Sequence, residues 1–467
     1  MQKQTWLLVL CLGVVLVPLA GCGGGTPSSL SSGASSTVTP PTTAAITSTT
    51  ASVATSTTIA ALGTWGEPTI PFPGASSAAG TVPAAQVDGL ACPTSDMCVT
   101  SDDAGGAVST FDGSSWSTPT TPLGSGSSIQ SLVCDSASAC AVIDSDGEND
   151  GGVGSEVSVF NGQSWSTSAS PFGANNFVGT LDCPVATFCA ATSSAVAAMS
   201  IYRTGSWSPT FNPFGHLGFP SAVSCPNSSF CMATGNITNA NDKVHSALST
   251  YHSDKWTAPQ SPFGSNGDIT QLICESETFC VVAGGTSSAT TEVAVYSNGS
   301  WGAPTTPFPG ISATAGSIPP QAINNLVCTP ALLCLAVGTD EVSIYSGGSW
   351  GQPSTPVGTQ ATINAESCSS NTICVLGAEN GDISVYSGGS WGEAEEPLGE
   401  GNTNWQVACS GGSICAAAST DEILIFSGGT WSTPDSPFGN VQNSINQLEC
   451  PTASFCAVSD GTQVSTA

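Results

Sequence analysis

The side chains that most often carry out chemistry are scarce in this sequence, apart from carboxylates and thiols. Of its 467 residues three are histidines, and Arg203 is the only arginine. Chemistry that clamps a phosphate or carboxylate between several arginines therefore has no basis, and imidazole catalysis has few candidates. The 33 Asp and Glu residues leave one enzymatic route open, because two carboxylates can cleave a glycosidic bond without His or Arg. No acidic pair stands out except within residues 144–150.

Asp144, Asp146 and Asp150 lie in the stretch DSDGEND, whose acidic oxygens recur around a glycine that permits a tight turn. This pattern resembles a short calcium-binding loop, but an acidic turn on the protein surface would have the same sequence. Calcium is therefore the one cofactor that the sequence suggests. We expect no other metal or cofactor and assign no catalytic residue.

The basic residues and the histidines are clustered in the sequence. Apart from Lys3, they all lie within residues 203–255. An anion or metal site could be assembled from them, and scattered surface positions would explain the clustering equally well. The set consists of Arg203, His216, Lys243, His245, His252 and Lys255.

The charge balance excludes one class of partner. Four Lys and Arg residues against 33 Asp and Glu residues give a formal net charge of −29 at pH 7. Such a surface repels phosphate backbones, so we expect no nucleic-acid partner. In an acidic environment many of these carboxylates would be protonated, and the net charge would be smaller.

Most of the 20 cysteines form pairs whose two members are separated by five residues. No histidine accompanies any pair, which argues against metal sites, and two cysteines across a short hairpin can meet at disulfide geometry. So many disulfides indicate an oxidising compartment outside the cytoplasm. The predicted disulfides join Cys92 with Cys98, Cys134 with Cys140, Cys183 with Cys189, Cys225 with Cys231, Cys274 with Cys280, Cys328 with Cys334, Cys368 with Cys374, Cys409 with Cys415, and Cys450 with Cys456.

Residues 1–21 have the layout of an export signal, in which Lys3 precedes an apolar stretch. Cys22 completes the sequence Leu-Ala-Gly-Cys, which resembles the bacterial lipobox and implies a lipoprotein signal peptide with diacylation of Cys22. The alternative is a plain signal peptide with a chance cysteine. Residues 22–62 are rich in Ser, Thr, Ala and Pro, which predicts a disordered tether. We expect a lipid-anchored protein at the extracytoplasmic face of the cell membrane, with the membrane as its partner through the anchor.

One pattern recurs nine times over residues 63–467. Its fold must position every candidate residue named so far that lies in this region. Each unit has one cysteine pair and one tryptophan, with a proline six residues after the tryptophan. In eight units Phe or Tyr stands five residues before the tryptophan. The period of 40 to 54 residues offers four short strands per unit, which is typical of a β-propeller blade. The tryptophans are Trp65, Trp116, Trp165, Trp207, Trp256, Trp301, Trp350, Trp391 and Trp431.

The two ends of this region predict a closed ring. The final unit ends at residues 463–467, which align with a third strand, and its missing fourth strand is found at residues 63–68. An N-terminal strand that completes the last blade would protect the sheet edges of the ring. We therefore predict an all-β propeller of nine four-stranded blades, above the typical range of about four to eight. An open solenoid or a smaller ring is the alternative.

The recurring aromatic residues either pack between blades or form a ring that stacks on a ligand. Because they recur at one fixed position, we favour packing. Trp405 lies outside the pattern, and it either fills a local gap or forms an exposed contact. Similar nine-residue insertions within residues 72–92 and 308–328 predict two longer loops on the same face of the ring.

The strings Ser-Gly-Gly-Ser-Trp-Gly and Cys-Pro-x-x-x-Phe-Cys-Ala-Val resemble tandem repeats of exported actinobacterial lipoproteins with propeller-like domains, and the resemblance covers residues 63–467. The turn before each tryptophan also resembles a degenerate Asp-box of sialidase-type propellers. The aspartate is usually missing, however, and Arg203 alone cannot provide the arginine triad that binds sialic acid. Sialidase activity is therefore not implied.

These observations favour a surface-anchored, non-catalytic propeller that serves as a binding or scaffold module of the cell envelope. Its partner would be an envelope protein or a glycan. The alternative is a carboxylate-dependent extracellular glycosidase or lyase, because a propeller fold does not by itself separate binding from catalysis.

Overall fold

In the computed structural model the described residues run from Leu62 to Ala467, with gaps at 75, 78–79, 82–84, 145–153, 175, 239–242, 287–290, 311, 314–315, 318–320, 331, 360, 370–372, 400–404, 411–413 and 440–443. This part of the chain is a nine-bladed β-propeller, as predicted. It contains no helix that is long and apolar enough to cross a membrane. The predicted signal peptide, Cys22 and residues 23–61 of the tether lie outside the described residues.

Each blade is an antiparallel sheet whose strand order follows the chain. The first strands are Gly89–Thr94, Ile129–Ser136, Thr180–Val185, Phe219–Asn227, Asp268–Ser276, Asn325–Cys328, Ile363–Cys368, Trp405–Cys409 and Gln447–Thr452. The second strands are Met97–Asp102, Ala139–Asp144, Phe188–Ser193, Phe230–Thr238, Phe279–Gly285, Cys334–Val337, Cys374–Ala378, Cys415–Ser419 and Phe455–Ser459. The third strands are Ala107–Phe111, Val157–Phe160, Ala198–Arg203, Val244–His252, Glu292–Ser297, Val342–Ser346, Ile383–Ser387, Glu422–Ser427 and Val464–Thr466.

The fourth strands are the shortest of each blade and lie at the outer edge of the ring. They are Ser206–Trp207, Lys255–Trp256, Ser300–Trp301, Ser349–Trp350, Ser390–Trp391 and Thr430–Trp431, with isolated bridges at Trp116, Trp165 and Thr69 in the other three blades. In several blades the turn before this strand uses two residues with positive φ, as at Gly347 (61°) and Gly348 (92°). This is the two-residue hairpin that glycine favours.

The core is a series of layers between neighbouring blades. First strands of successive blades contact one another around the centre of the ring. The second strands are buried along their length, as in Met97–Asp102 and Ala139–Asp144, because each packs against a blade on either side. The clusters of buried side chains accordingly combine residues of two adjacent blades.

All nine predicted disulfides are present, and each joins the first and second strands of one blade or the turn between them. In five blades the two cysteines are direct partners in the strand register, as for Cys274 and Cys280. The confirmed bonds are Cys92 with Cys98, Cys134 with Cys140, Cys183 with Cys189, Cys225 with Cys231, Cys274 with Cys280, Cys328 with Cys334, Cys368 with Cys374, Cys409 with Cys415, and Cys450 with Cys456.

These bonds act within single blades. Closing so short a loop is worth about 2.4 kcal/mol in the chain-entropy description. No bond crosses from one blade to the next, since the two cysteines of every pair are six positions apart in the chain. The disulfides therefore stabilise each blade individually rather than the ring as a whole.

The ring closes as predicted, because residues before blade 1 complete blade 9. Thr69 forms a bridge with Val464, and the Gly66 N–H donates to the Thr466 carbonyl at 2.8 Å. The Ser465 hydroxyl donates to the Gly66 carbonyl at 2.9 Å. The equivalent serine bond occurs within single blades, as between Ser343 and the Gly351 carbonyl at 3.0 Å. The closing strand thus reproduces an ordinary blade contact.

The repeated aromatic residues pack between blades, as predicted. Within a blade the tyrosine and tryptophan rings meet, as for Tyr345 and Trp350 at 5.4 Å, and Tyr345 also stacks on Phe279 of the preceding blade at 6.2 Å. Trp405 is 3% exposed and fills a gap, since a Cβ at Gly377 would lie 2.6 Å from it. Both insertions form two-stranded ribbons between a fourth strand and the next first strand: Ser76–Ser77 with Gly80–Thr81, and Ser312–Ala313 with Gly316–Ser317.

Candidate functional site

Clefts occur at the outer edge of the ring, between the third and fourth strands of one blade and the tryptophan of the next. The 3/4 cleft, between blades 3 and 4, has a volume of about 430 Å³, within the range of small-ligand sites. It is lined by Ile201, Arg203, Ser208, Pro209, Phe211, Tyr251, Asp254 and Trp256. The 7/8 cleft, of about 210 Å³, is lined by Ile383, Val385, Ser387, Ser390, Trp391, Gly392, Glu393, Glu395, Phe426, Gly429 and Trp431.

Three residues of the 3/4 cleft depart from the repeat. Arg203 stands four residues before its tryptophan, where four other blades have serine. Phe211 stands four residues after that tryptophan, where the other blades have Thr, Ala, Gln, Ser, Glu or Asp. Asp254 stands two residues before Trp256, where six blades have glycine. The architecture requires none of these three residues, yet all three line one cleft.

The guanidinium of Arg203 is held by aromatic rings and a carboxylate. It lies 5.4 Å from the ring centre of Phe188 and 5.9 Å from that of Tyr251, in cation–π contact with both. Its Nη2 donates to Asp254 Oδ1 at 2.5 Å and also contacts the Tyr251 hydroxyl. The Tyr251 hydroxyl in turn donates to Asp254 Oδ1 at 2.7 Å. The cation is therefore oriented before any ligand arrives.

The pKa values in this cluster follow from these contacts. The hydrogen bond from Tyr251, together with the charge of Arg203, lowers the pKa of Asp254. Burial, with the neighbouring carboxylate of Asp254, raises the pKa of Tyr251. At neutral pH the cluster therefore consists of a cation, an anion and a neutral phenol.

Asp254 keeps the left-handed backbone of this hairpin although it is not glycine. Ser253 and Asp254 have φ values of 51° and 64°, in the left-handed region. A non-glycine residue in this region costs about 1 kcal/mol or more. The equivalent turn of blade 8 has Gly428 and Gly429 at 62° and 91°. Blade 4 thus accepts a cost that blade 8 avoids, and it gains a carboxylate next to Arg203.

Phe211 changes the wall of the cleft. Its backbone forms a bridge with Met199, and its ring lies 6.0 Å from that of Trp256. Where blade 9 meets blade 1, the equivalent position is Thr69, which accepts a hydrogen bond from the Trp116 indole at 3.0 Å. A phenyl ring cannot accept such a bond, and the Trp256 indole N–H has no partner among the described residues. Phe211 therefore presents an apolar surface here, although the Trp350 indole N–H, opposite Thr305, also has no partner among the described residues.

The structure brings together only part of the basic cluster seen in the sequence. Arg203 lies in the cleft, whereas His245 and His252 lie at opposite ends of the strand Val244–His252, and His216 lies in an exposed loop. No group of three His, Cys, Asp or Glu residues that could hold a metal ion occurs among the described residues. Sequence reasoning missed Phe211 and Asp254: a position-by-position comparison of the repeats marks both as departures but does not show that they line one cleft with Arg203.

The predicted calcium loop falls mostly on residues outside the described ranges. Asp144 is buried, with 1% of its surface exposed, at the end of a second strand. Asp146 and Asp150 lie outside the described residues. Calcium binding at this loop therefore stays a prediction.

A second site that sequence reasoning missed lies on the first strands of blades 2 and 3. Asp135 and Asp182 are hydrogen-bonded to each other, and Asp182 Oδ2 accepts from the Cys225 N–H of blade 4 at 2.8 Å. Burial, together with the charge of Asp135, raises the pKa of Asp182 to about 7. Each carboxylate also binds a cysteine N–H of the following blade, since Asp135 accepts from Cys183. The pair therefore connects blades.

Blades 3 and 4 also depart from the rest at the opposite end of their strands. Leu217, Phe219 and Val244 are 57%, 49% and 63% exposed. They lie around the start of the first strand and at the start of the third strand of blade 4, whose three long strands have nine residues each. Exposed apolar side chains in one region are typical of binding surfaces.

Known proteins offer distant structural likenesses to this chain. No family model matches the chain, and no curated protein matches it. The chain is similar to YCF48 bound to D1 peptide (11% identity over 87% of this chain and 96% of that chain, TM-score 0.39). It is also similar to the C-terminal WD40 domain of Sif2 (12% identity over 82% of this chain and 96% of that one, TM-score 0.42). Likenesses this distant say nothing of what this chain binds or does.

Proposed function

We propose that this chain is a non-catalytic binding module of the cell surface, anchored by a lipid on Cys22, whose propeller binds an envelope protein or glycan at the 3/4 cleft. The observation that carries the proposal is the convergence of Arg203, Phe211 and Asp254 in one cleft. Strain at Asp254 supports it, because strained backbone persists where the surrounding structure uses it. The lipobox and the uncharged tether in the sequence support the anchor.

The alternative of a carboxylate-dependent glycosidase or lyase has less support. The raised pKa of Asp182 is a feature of general acids, but Asp135 and Asp182 are in direct hydrogen-bond contact. Glycosidases hold their two carboxyl groups about 5 Å or more apart, so that a sugar fits between them. In this chain the two carboxyl groups hold blades together.

Site-specific photo-crosslinking in the producing cells tests the binding proposal. A photoreactive phenylalanine analogue replaces Pro209, an exposed residue of the 3/4 cleft two positions after Trp207. The matched control carries the analogue at Glu393, which occupies the same position after Trp391 in the 7/8 cleft. We expect adducts with an envelope component from position 209 only. Equal adducts from both positions, or none from either, would overturn the proposal.

The anchor has its own test. Replacing Cys22→Ala removes the thiol that would be acylated, and we expect the protein to move from the membrane fraction to the soluble extracytoplasmic fraction. Metabolic labelling with an alkynyl fatty acid should mark the unaltered chain and not the variant. Labelling of both chains, or of neither, would contradict lipidation at Cys22.

A further inference from the structure

The guanidinium of Arg203 has donors to spare at the 3/4 cleft. Arginine carries five N–H donors, and the contacts with Asp254 and Tyr251 both use Nη2. Nε and Nη1 have no hydrogen-bond partner in the part of the chain that the structure describes, and 48% of the side chain is exposed. The two rings and the carboxylate fix the plane of the guanidinium, so the free hydrogens of Nη1 point in a preorganised direction for an anion.

The rest of the cleft offers a ligand little except apolar surface. Ile201, Pro209, Phe211 and Trp256 form its walls. The Ser208 hydroxyl is already engaged, since it accepts from the Ile201 N–H at 3.0 Å and donates to the Pro209 carbonyl at 3.1 Å. A sugar placed there would bury hydroxyl groups without partners, which is costly. An apolar side chain would meet matching surface.

We propose that the 3/4 cleft binds a peptide in which a carboxylate stands next to an apolar side chain. The carboxylate pairs with Nη1 of Arg203, and the apolar side chain packs against Phe211 and Trp256. Asp254 orients the arginine and, as an anion beside it, weakens the attraction for every anion, so that a ligand also needs its apolar group to bind. This inference rests on the proposed binding function and names the ligand class of its site.

Binding of defined peptides tests the proposal. Residues 58–467 form one compact unit that contains the whole ring and all nine disulfides, so this segment is used. The probes are acetyl-Gly-Gly-Leu-Phe with a free terminal carboxylate, the same peptide amidated, and amidated acetyl-Gly-Asp-Leu-Phe. Isothermal titration measures Kd. We expect the free acid or the Asp peptide to bind at least about tenfold more tightly than the uncharged amide, because a charge-assisted pair is lost in the amide.

Variants that replace the unusual residues by those of other blades test whether the peptides bind in the 3/4 cleft. Arg203→Ser should reduce the affinity for the carboxylate peptides to that for the amide, and Phe211→Thr should weaken all peptides about tenfold. Ser387→Ala, at the position of Arg203 in the 7/8 cleft, is the matched control and should change nothing. Thermal unfolding of each variant shows that the ring is intact.

The possible results separate the hypotheses. Equal affinity for acid and amide, or full carboxylate binding by Arg203→Ser, would overturn the peptide-carboxylate inference. Binding of glucuronate but of no peptide would replace it with a glycan ligand. If position 209 still crosslinks to an envelope component while these peptides do not bind, the binding function stands and the inference fails.

Discussion

The contact between blades 3 and 4 and the contact between blades 7 and 8 have the same architecture and different chemistry. At the inner end, Asp182 accepts from the Cys225 N–H at 2.8 Å, whereas Ser367 accepts from the Cys409 N–H at 3.0 Å. At the outer end the two contacts differ at three equivalent positions. Blades 3 and 4 have Arg203, Phe211 and Asp254, whereas blades 7 and 8 have Ser387, Glu395 and Gly429 at the same places. Blades 7 and 8 make the same contacts with Ser367, Ser387, Glu395 and Gly429, so the architecture does not require the ion pair and the phenyl ring found between blades 3 and 4.

The largest difference between the two contacts should be in their response to pH. The folded-state pKa of Asp182 is raised from 3.8 to about 7, so the folded chain keeps a proton that the unfolded chain loses first. Stability should therefore fall as the pH rises from about 4 to 7, by on the order of 2 kcal/mol from the Asp135–Asp182 pair as a whole. Burial likewise raises the pKa of Glu449 to about 7 and that of Asp103 to about 6, in the same direction.

Thermal unfolding followed by circular dichroism between pH 4 and 8 measures this effect. Asp182→Asn keeps an acceptor for the Cys225 N–H and removes the titrating proton, so its melting temperature should depend less on pH and exceed that of the unaltered chain at pH 8. Asp112 and Asp254, whose pKa values are lowered, act in the opposite direction below about pH 4. A melting temperature that rises between pH 4 and 7 would contradict the prediction.

The hydroxyl contact of blades 7 and 8 should be weaker and independent of pH. Ser367→Ala leaves the Cys409 N–H without its acceptor, which costs about 1–2 kcal/mol. Chemical denaturation at pH 5 and pH 8 should show the same loss at both. Ser390→Ala, at an exposed position of the same blade, serves as control and should stay within about 0.5 kcal/mol of the unaltered chain. A loss that changes with pH would show that Ser367 is coupled to a titrating group.

Exchanging the residues at the equivalent turn positions 254 and 429 should change the free energy of unfolding in opposite directions, by about 1 kcal/mol or less. Asp254→Gly relieves the left-handed strain but loses an exposed ion pair, for a small net gain. Gly429→Asp introduces the strain without an arginine nearby, for a loss of about 1 kcal/mol. Urea unfolding of the two variants side by side measures both. If Asp254→Gly is the less stable of the two, the cluster around Arg203 contributes more than its exposure suggests.

Transferring the three unusual side chains to the 7/8 cleft should have the smallest effect of these changes. It tests whether these side chains are sufficient for peptide binding. The triple variant Ser387→Arg, Glu395→Phe and Gly429→Asp places the three unusual side chains in the 7/8 cleft. We expect a second, weaker site for the carboxylate peptide, seen as a rise in titration stoichiometry from about one towards two. An unchanged stoichiometry would mean that the larger volume of the 3/4 cleft is also required.

The repeating features could be predicted from the sequence because each depends on residues close together in the chain or recurs nine times. The disulfides, the turn before each tryptophan and the closing strand follow from spacing alone. The Asp135–Asp182 pair does not, because the two residues occupy different positions of different units and meet only when blades 2 and 3 stack. Asp254 was hidden for a related reason: it looks like an ordinary turn residue until its φ value and its contact with Arg203 are known. Departures from a repeat are thus informative only after the packing of neighbouring units is known.

The closing strand also sets an order on how the chain folds. Each disulfide joins cysteines six positions apart, so every blade can form its own bond as soon as it reaches an oxidising compartment. The bridge between Thr69 and Val464 instead joins residues 395 positions apart, and closing so long a loop costs about 5 kcal/mol of chain entropy. Until Val464 has been synthesised, the strand around Thr69 has no partner and blade 1 exposes an unpaired face. Closure of the ring is therefore the last step of folding, and only a chain that includes blade 9 can complete it.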